Sequence, residues 1–205
     1  MKILLLGANG RTGREVMGRA LESGDRVTAL VRGEDRLADL HHDRLRVRVG
    51  NPCDPAFLEE LLPGHDLVVS VLGPRWPSKA ASAIYPDSAA ALVDAMGRSD
   101  VRRLLVTSSA LLFGRDTRLD RLLRWLVPSI VDGARQMEDR IRASGLQWTI
   151  ARTGFLTNGT TTRYRQRDGA LPEGAGSISR AAVARFLLAE AAAPSQAGQV
   201  VGLCG

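Results

Sequence analysis

Short apolar runs alternate with helix-spaced patterns along the chain, and this alternation predicts its elements. Residues 2–6 (KILLL) read as a strand ending at Gly7, and residues 13–23 carry helical spacing that Gly24 stops. Residues 26–32 (RVTALVR) read as a second strand, and residues 34–41 as a short helix. Residues 44–49 (RLRVRV) alternate strictly, as a strand covered on one face does. Asp54 as N-cap and Pro55 in the first turn open a helix to about Leu62, which Pro63-Gly64 ends. Residues 66–72 (DLVVSVL) are apolar and β-branched, which suits a central parallel strand. Gly73 to Pro86 reads as a loose stretch with three prolines, and residues 87–99 as an alanine-rich helix. Residues 102–108 form a strand, 129–144 a helix capped by Ser129, and 147–152 a strand. Residues 179–193 form a helix capped by Ser179, and 199–203 a closing strand. Sustained strand–helix alternation predicts an α/β fold: a doubly wound parallel sheet with helices on both faces, in three layers. No repeat or low-complexity linker divides it, so residues 1–205 are expected to form one domain.

Composition narrows the function classes. The chain is 44% hydrophobic and 24% charged, an ordinary globular balance that argues against disorder. No apolar run approaches the roughly 18 residues of a membrane span, and MKILLLGANG turns glycine-rich too soon for a secretory signal. Two cysteines, Cys53 and Cys204, are too few for a disulfide framework and suit a reducing cytoplasm. The 28 basic residues exceed the 22 acidic ones, giving a net charge of +6. They are spread along the chain, whereas a nucleic-acid site gathers them, so no nucleic-acid or membrane partner is expected.

The sharpest local signal is GANGRTG at residues 7–13, directly after the first strand and opening the first helix. Gly7 permits the tight turn, Gly10 lets backbone approach a pyrophosphate, and Gly13 lets the helix pack on the sheet. The unpaired first amides of that helix favour an anion. A glycine-rich turn without a ligand is the alternative. At the end of the second strand, where an acid would hold the ribose hydroxyls of NAD, stands Arg32, with Arg36 one helical turn on and Arg11 in the loop. Guanidinium groups there pair with a 2′-phosphate, so NADP(H) is expected over NAD(H).

GANGRTG (7–13), LVRGEDRL (30–37), VVSVLGPR (68–75), LLVTSSALL (104–112), SGLQWTIARTGFL (144–156) and SISRAAVARFLL (177–188) together resemble the NAD(P)H-binding atypical short-chain dehydrogenase/reductases. The likeness is greatest to the flavin reductase / biliverdin-IXβ reductase-like group, with NmrA-like proteins as wider relatives. The resemblance implies a Rossmann fold in which Gly7, Asn9, Gly10, Arg11, Thr12 and Gly13 wrap the pyrophosphate. It implies that Arg32 and Arg36 take the 2′-phosphate, and that Asn51 and Pro52 lie beside the adenine. Leu72, Gly73 and Arg75 would line the adenosine side, and Thr107 and Ser108 would sit near the nicotinamide. Arg152, Thr153, Gly154 and Phe155 would form the loop over it. The family usually has Asp at the position of Asn51 and proline at that of Thr153. Glu138 matches an acidic position in the long helix that many relatives share.

Carbonyl-reducing relatives use Tyr-x-x-x-Lys, in which the lysine depresses the tyrosine pKa. Here Tyr85 is followed four places on by Ala89, and Tyr164 by Asp168, so ordinary alcohol dehydrogenase or sugar epimerase chemistry is not expected. Hydride transfer to a flavin or a similar conjugated small molecule needs no such acid. Ser108, at a strand end, is the candidate for a catalytic polar contact, or else it satisfies its own loop; Ser109 is a weaker neighbour. Trp76 beside Arg75 can stack on a flat acceptor or simply pack. Leu119, Leu122, Leu123 and Leu126, among recurring arginines, make residues 115–127 an amphipathic helix: a lid, a docking face or a solvated surface. His41, His42 and His65 lack metal-ligand spacing, so no metal is expected. Two functions stay open, an NADPH-dependent reductase and a dinucleotide-binding sensor without turnover, and the length suits a monomer or a homodimer.

Overall fold

The computed structural model describes residues 1–33, 37, 40–74, 76, 78–114 and 118–205, with Leu119 and Asp120 described by backbone alone. Its strands are β1 (Lys2–Leu6), β2 (Arg26–Val31), β3 (Leu45–Val49), β4 (Leu67–Ser70), β5 (Arg103–Ser109), β6 (Gln147–Thr153), β7 (Phe155–Thr157), β8 (Arg165–Asp168), β9 (Ser177–Ser179) and β10 (Gln199–Cys204). Its helices are α1 (Arg11–Glu22), α2 (Pro55–Leu61), α3 (Lys79–Ser82), α4 (Ile84–Gly97), α5 (Arg118–Leu126), α6 (Pro128–Arg142) and α7 (Arg180–Ala192).

Eight strands form one sheet in the order β3-β2-β1-β4-β5-β6-β10-β8. All neighbours are parallel except β8, which runs antiparallel to β10. This is the expected doubly wound Rossmann arrangement, with β8 as a correction to an all-parallel sheet. Strand order reverses between β1 and β4, which opens a crevice beyond their C-terminal ends.

Period-two alternation in β1 divides the core. Ile3 and Leu5 face a cluster with Val16 and Met17 of α1 and Phe186 of α7. Leu4 and Leu6 face the opposite cluster with Leu58 of α2, Leu92 and Met96 of α4, and Ile141 of α6. All four β1 side chains are fully buried, which is why KILLL carries no polar alternation. Tyr164 meets Phe186 edge-on at 5.8 Å between ring centres.

Several boundaries differ from expectation. Residues 79–82 and 84–86 are helical rather than loose, because Ser78 caps α3 through the Ala81 amide and Pro86 lies in the first turn of α4, where a missing N–H costs no helix bond. The helix expected from Ser129 begins at Pro128 after Val127, and Ser129 instead meets the Ser82 hydroxyl at 3.4 Å. Asp54 and Ser179 act as the caps the sequence predicts. Gly24, at φ +85°, stops α1 as expected. The predicted helix 34–41 falls largely outside the described residues, although Leu37 is buried in the core. The amphipathic segment is helical from Arg118, and residues 115–117 lie outside the described residues.

The span between β6 and α7 has two features without a sequence signal. β7 and β9 pair in parallel as a second, two-stranded sheet. β8 then closes one edge of the main sheet with Arg165 and Arg167 exposed, while the other edge, β3, exposes Arg46 and Arg48.

Candidate functional site

The glycine loop closes on itself through backbone. Gly7 takes φ +82°, and its carbonyl accepts from the Gly10 amide at 2.9 Å. Gly10 occupies the N-cap of α1 without a side-chain cap, and the first turn holds no acid. The opening amides of α1 are thus left for an external acceptor. A Cβ at Gly13 would lie 2.1 Å from the Gly7 carbonyl oxygen, and one at Gly7 would lie 3.0 Å from the Val71 backbone. Both glycines therefore let the loop lie flat on the strand ends. Asn9 is fixed as an acceptor for the Arg14 guanidinium at 3.0 Å. Arg11 is exposed and Thr12 half-buried.

In front of this loop lies a cavity of about 530 Å³ at the β1/β4 reversal. Gly7, Asn9, Gly10, Arg32, Pro52, Leu72 and Gly73 line it, so the structure brings seven of the expected cofactor residues together. Leu30, Val31, Gly33 and Val71 line it as well. They went unpredicted, although their place at the ends of β2 and β4 is a signal that could have found them. Arg32 is exposed, with no ion pair among the described residues. Asn51 is exposed beside the cavity and accepts from the Cys53 amide at 3.0 Å. Burial raises the Cys53 thiol pKa, as does Asp87, while Arg32 opposes the rise. Arg36 and Arg75 lie outside the described residues. A larger groove of about 790 Å³ runs along α4 and past Arg98 and Arg140, away from the glycine loop.

At the ends of β5 and β6 a buried polar cluster forms. Ser108 Oγ donates to Glu138 Oε1 at 2.6 Å. Arg152 grips the same carboxylate through Nε at 2.9 Å and Nη2 at 2.6 Å. The guanidinium also lies 4.5 Å from the centre of the Phe113 ring, in the 3₁₀ turn Ala110–Phe113 that follows β5. Glu138 is 1% exposed, so this bidentate pair is shielded from water. Ser108 is buried and committed to Glu138, and Ser109 accepts from the Leu111 amide to cap the 3₁₀ turn. Thr107 is half-buried, whereas Thr153 is buried in β6. A Cβ at Gly154 would meet the Gly176 carbonyl at 2.6 Å, so β7 and β9 pack closely there. Phe155 is 62% exposed and Trp76 75% exposed.

Tyr85 is buried behind the site. Its hydroxyl lies 3.4 Å from where a Cβ on Gly73 would sit, and burial pushes its pKa up to about 12. It stays neutral near pH 7. His65 belongs to the opposite end of the sheet, where its Nε2 lies 2.7 Å from the Thr28 hydroxyl.

The residues fit a dinucleotide. Glycines occupy positions that any Cβ would obstruct, the helix start is uncapped, and Arg32, with no ion pair among the described residues, lines the cavity. Comparison with known proteins agrees with this geometry. The sequence profile of a family described as NAD(P)H-binding matches residues 7–194. A Bacillus subtilis protein described as an uncharacterized sugar epimerase is 28% identical over 196 residues, covering 92% of this chain and 87% of that protein. A short-chain dehydrogenase/reductase from Veillonella parvula, solved in complex with NADP, superposes with a TM-score of 0.79 at 24% identity, covering 100% of this chain and 94% of that one. An anaerobillin reductase from Escherichia coli O157:H7 superposes with a TM-score of 0.82 at 21% identity, covering 100% of this chain and 97% of that one. At these identities the two structures establish the shared fold.

Proposed function

The chain belongs to the NAD(P)H-binding family whose profile it matches, and from that premise we propose that it is an NADPH-dependent reductase delivering hydride to a flavin or similar conjugated small molecule. Residues 1–205 act as one dinucleotide-binding unit in this reading. The carrying observation is the cavity at the β1/β4 reversal, lined by the uncapped start of α1 and by the exposed Arg32. NADPH, when bound, supplies the hydride and its two electrons. The protein supplies position. The α1 amides and Gly10 hold the diphosphate, and Arg32, with Arg36 beyond it, holds the 2′-phosphate. Glu138 fixes Arg152 and Ser108 at the ends of β5 and β6, so that neither side chain must reorganise when an acceptor arrives. Exposed Phe155 and Trp76 offer flat apolar surface to a conjugated ring.

The relative named as a sugar epimerase raises a different chemistry. Tyr-x-x-x-Lys is missing here, and Tyr85 is buried and neutral rather than activated. An acceptor that takes its proton from solvent suits such a site. A second reading, a non-catalytic NADP(H)-binding sensor, is favoured by one observation: the Ser108 hydroxyl expected near the nicotinamide already donates to Glu138.

The test is to bind NADPH and NADH to the protein, then add FMN, riboflavin, biliverdin and quinones while following loss of reduced-nicotinamide absorbance. Tighter binding of NADPH with oxidation by at least one flat acceptor supports the reductase. Tight NADPH binding with no oxidation by any of them supports the sensor. No binding of either nucleotide removes both readings.

A further inference from the structure

Cations that are scattered along the chain are gathered by the fold at one place. Lys2 opens β1, Arg26 opens β2, and Arg44 and Arg46 flank Leu45, the first residue of β3. Lys2 pairs with Arg26, and Thr28 with Arg46, across neighbouring parallel strands, and the Arg44 carbonyl accepts from the Val27 amide at 2.9 Å. Neighbouring strands lie about 4.8 Å apart, so four cationic stems leave a strip of sheet roughly 10 Å wide. All four line a cavity of about 640 Å³ at the N-terminal ends of the strands, the opposite end of the sheet from the glycine loop. Among the described residues Asp43 is the only carboxylate in that lining. Pro63, Gly64 and His65, the turn between α2 and β4, complete it. His65 pins this turn to β2, since its Nδ1 donates to the Leu62 carbonyl at 3.3 Å and its Nε2 lies 2.7 Å from the Thr28 hydroxyl. None of the four cationic side chains has an ion pair among the described residues. Two carboxylates next to them in sequence are engaged elsewhere: Asp25 takes the Met1 ammonium, and Asp66 accepts from the Lys2 backbone amide at 2.7 Å.

A concave surface lined by one sign of charge focuses its field and concentrates ions of the other sign. This cavity has the size of a small-ligand site, but its lining is mostly charged and polar, so it offers little to a flat apolar molecule. We propose that it binds a small polyphosphate, a chain of linked phosphoryl groups either free or carried by a nucleotide, through Lys2, Arg26, Arg44 and Arg46. The three guanidinium groups offer paired donors to phosphoryl oxygens, and the Lys2 ammonium adds a compact charge. A bounded cavity, rather than a track of cations across the surface, favours such a ligand over a nucleic-acid strand. The five residues of β1 separate this site from the glycine loop by roughly 17 Å, so both can be filled at once. The proposal therefore does not depend on the dinucleotide reading.

The test resolves the two ends of the sheet. Tripolyphosphate is titrated into the full chain at about 0.15 M salt, which screens isolated surface charges, while backbone amides are followed in ¹H–¹⁵N spectra. The amides of Arg26, Arg46, Gly64 and His65 should shift and saturate at millimolar ligand or below. Shifts confined to residues 7–13, or shifts that never saturate, overturn the proposal. Arg44→Gln should raise the Kd read from those four amides about tenfold, the scale of a lost charge-assisted contact. Asp43→Asn should lower it about threefold by removing the carboxylate from the lining. Arg185→Gln removes the same charge from α7, on the other face of the sheet, and should change it by no more than about twofold. Equal losses in Arg44→Gln and Arg185→Gln would mean that only net charge is sensed, and would overturn the site. AMP, with a single phosphate, should bind there about tenfold more weakly than tripolyphosphate, and equal binding would also overturn the proposal. ATP binding more tightly than tripolyphosphate assigns a nucleotide's phosphate tail, and ATP binding no more tightly assigns a free chain. A single-stranded oligonucleotide that shifts the same amides at about hundredfold lower concentration would make the cavity part of a nucleic-acid track and overturn the small-ligand assignment.

Discussion

Arg32 stands exposed at the end of β2, over the cavity that Gly7 and Leu72 also line. A guanidinium at this place offers two parallel donors to a phosphate and nothing extra to a plain ribose. Arg32→Ala should raise the NADPH Kd about tenfold, near the lower end of what a hydrogen bond to a charged group contributes at an exposed site. The NADH Kd should stay within about twofold. Fluorescence titration of both nucleotides checks this, and an equal change in both would show that Arg32 does not read the 2′-phosphate. Neighbouring residues set the frame for that contact without discriminating. Gly13 is excluded from carrying a side chain by the Gly7 carbonyl 2.1 Å from its would-be Cβ, whichever nucleotide binds.

The Glu138 carboxylate joins three elements: it sits on α6 and receives donors from Ser108 on β5 and Arg152 on β6. Glu138→Ala would leave the Arg152 guanidinium, only 12% exposed, without its counter-charge. Breaking a buried pair from one side costs roughly 3–5 kcal/mol. Urea unfolding should report a loss of that size, and a loss below about 1 kcal/mol would show that Arg152 turns to solvent at little cost. Elements also differ in how far the sequence reveals them. β1, β4, α1 and α7 were legible, since full burial, β-branching and caps such as Ser179 write themselves into residue type. The start of α4 was hidden because Pro86, a helix breaker elsewhere, is harmless in a first turn. β7, β8 and β9 were hidden because they are three- or four-residue pieces, mostly polar or exposed, and defined by distant partners. The glycine loop and Arg32 announced the cofactor cavity through spacing.

On the scale of the whole molecule, two cores share one sheet, and Tyr85 belongs to the core covered by α2, α4 and α6. Its pKa rises from the ordinary 10 to about 12 through burial alone, so the folded state holds the phenol proton that the unfolded chain releases earlier. The unfolded state then binds fewer protons above pH 10, and stability falls as pH climbs toward about 12. Below pH 10 the contribution is fully present. Across that window the loss amounts to about 2–3 kcal/mol. Tyr85→Phe should flatten this alkaline limb in denaturant unfolding followed at a series of pH values. A limb unchanged by the substitution would mean that Tyr85 does not cause it.

The flanks of the main sheet have a consequence beyond any single molecule. Among the described residues β3 and β8 have no further strand to pair on their outer sides, and each presents arginines there: Arg46 and Arg48 on one side, Arg165 and Arg167 on the other. Two copies approaching flank to flank bring like charge against like charge before any ladder can form. The same sheet that supplies the core is thereby kept from growing into a fibre, and a polyanion that neutralised those flanks would remove the barrier.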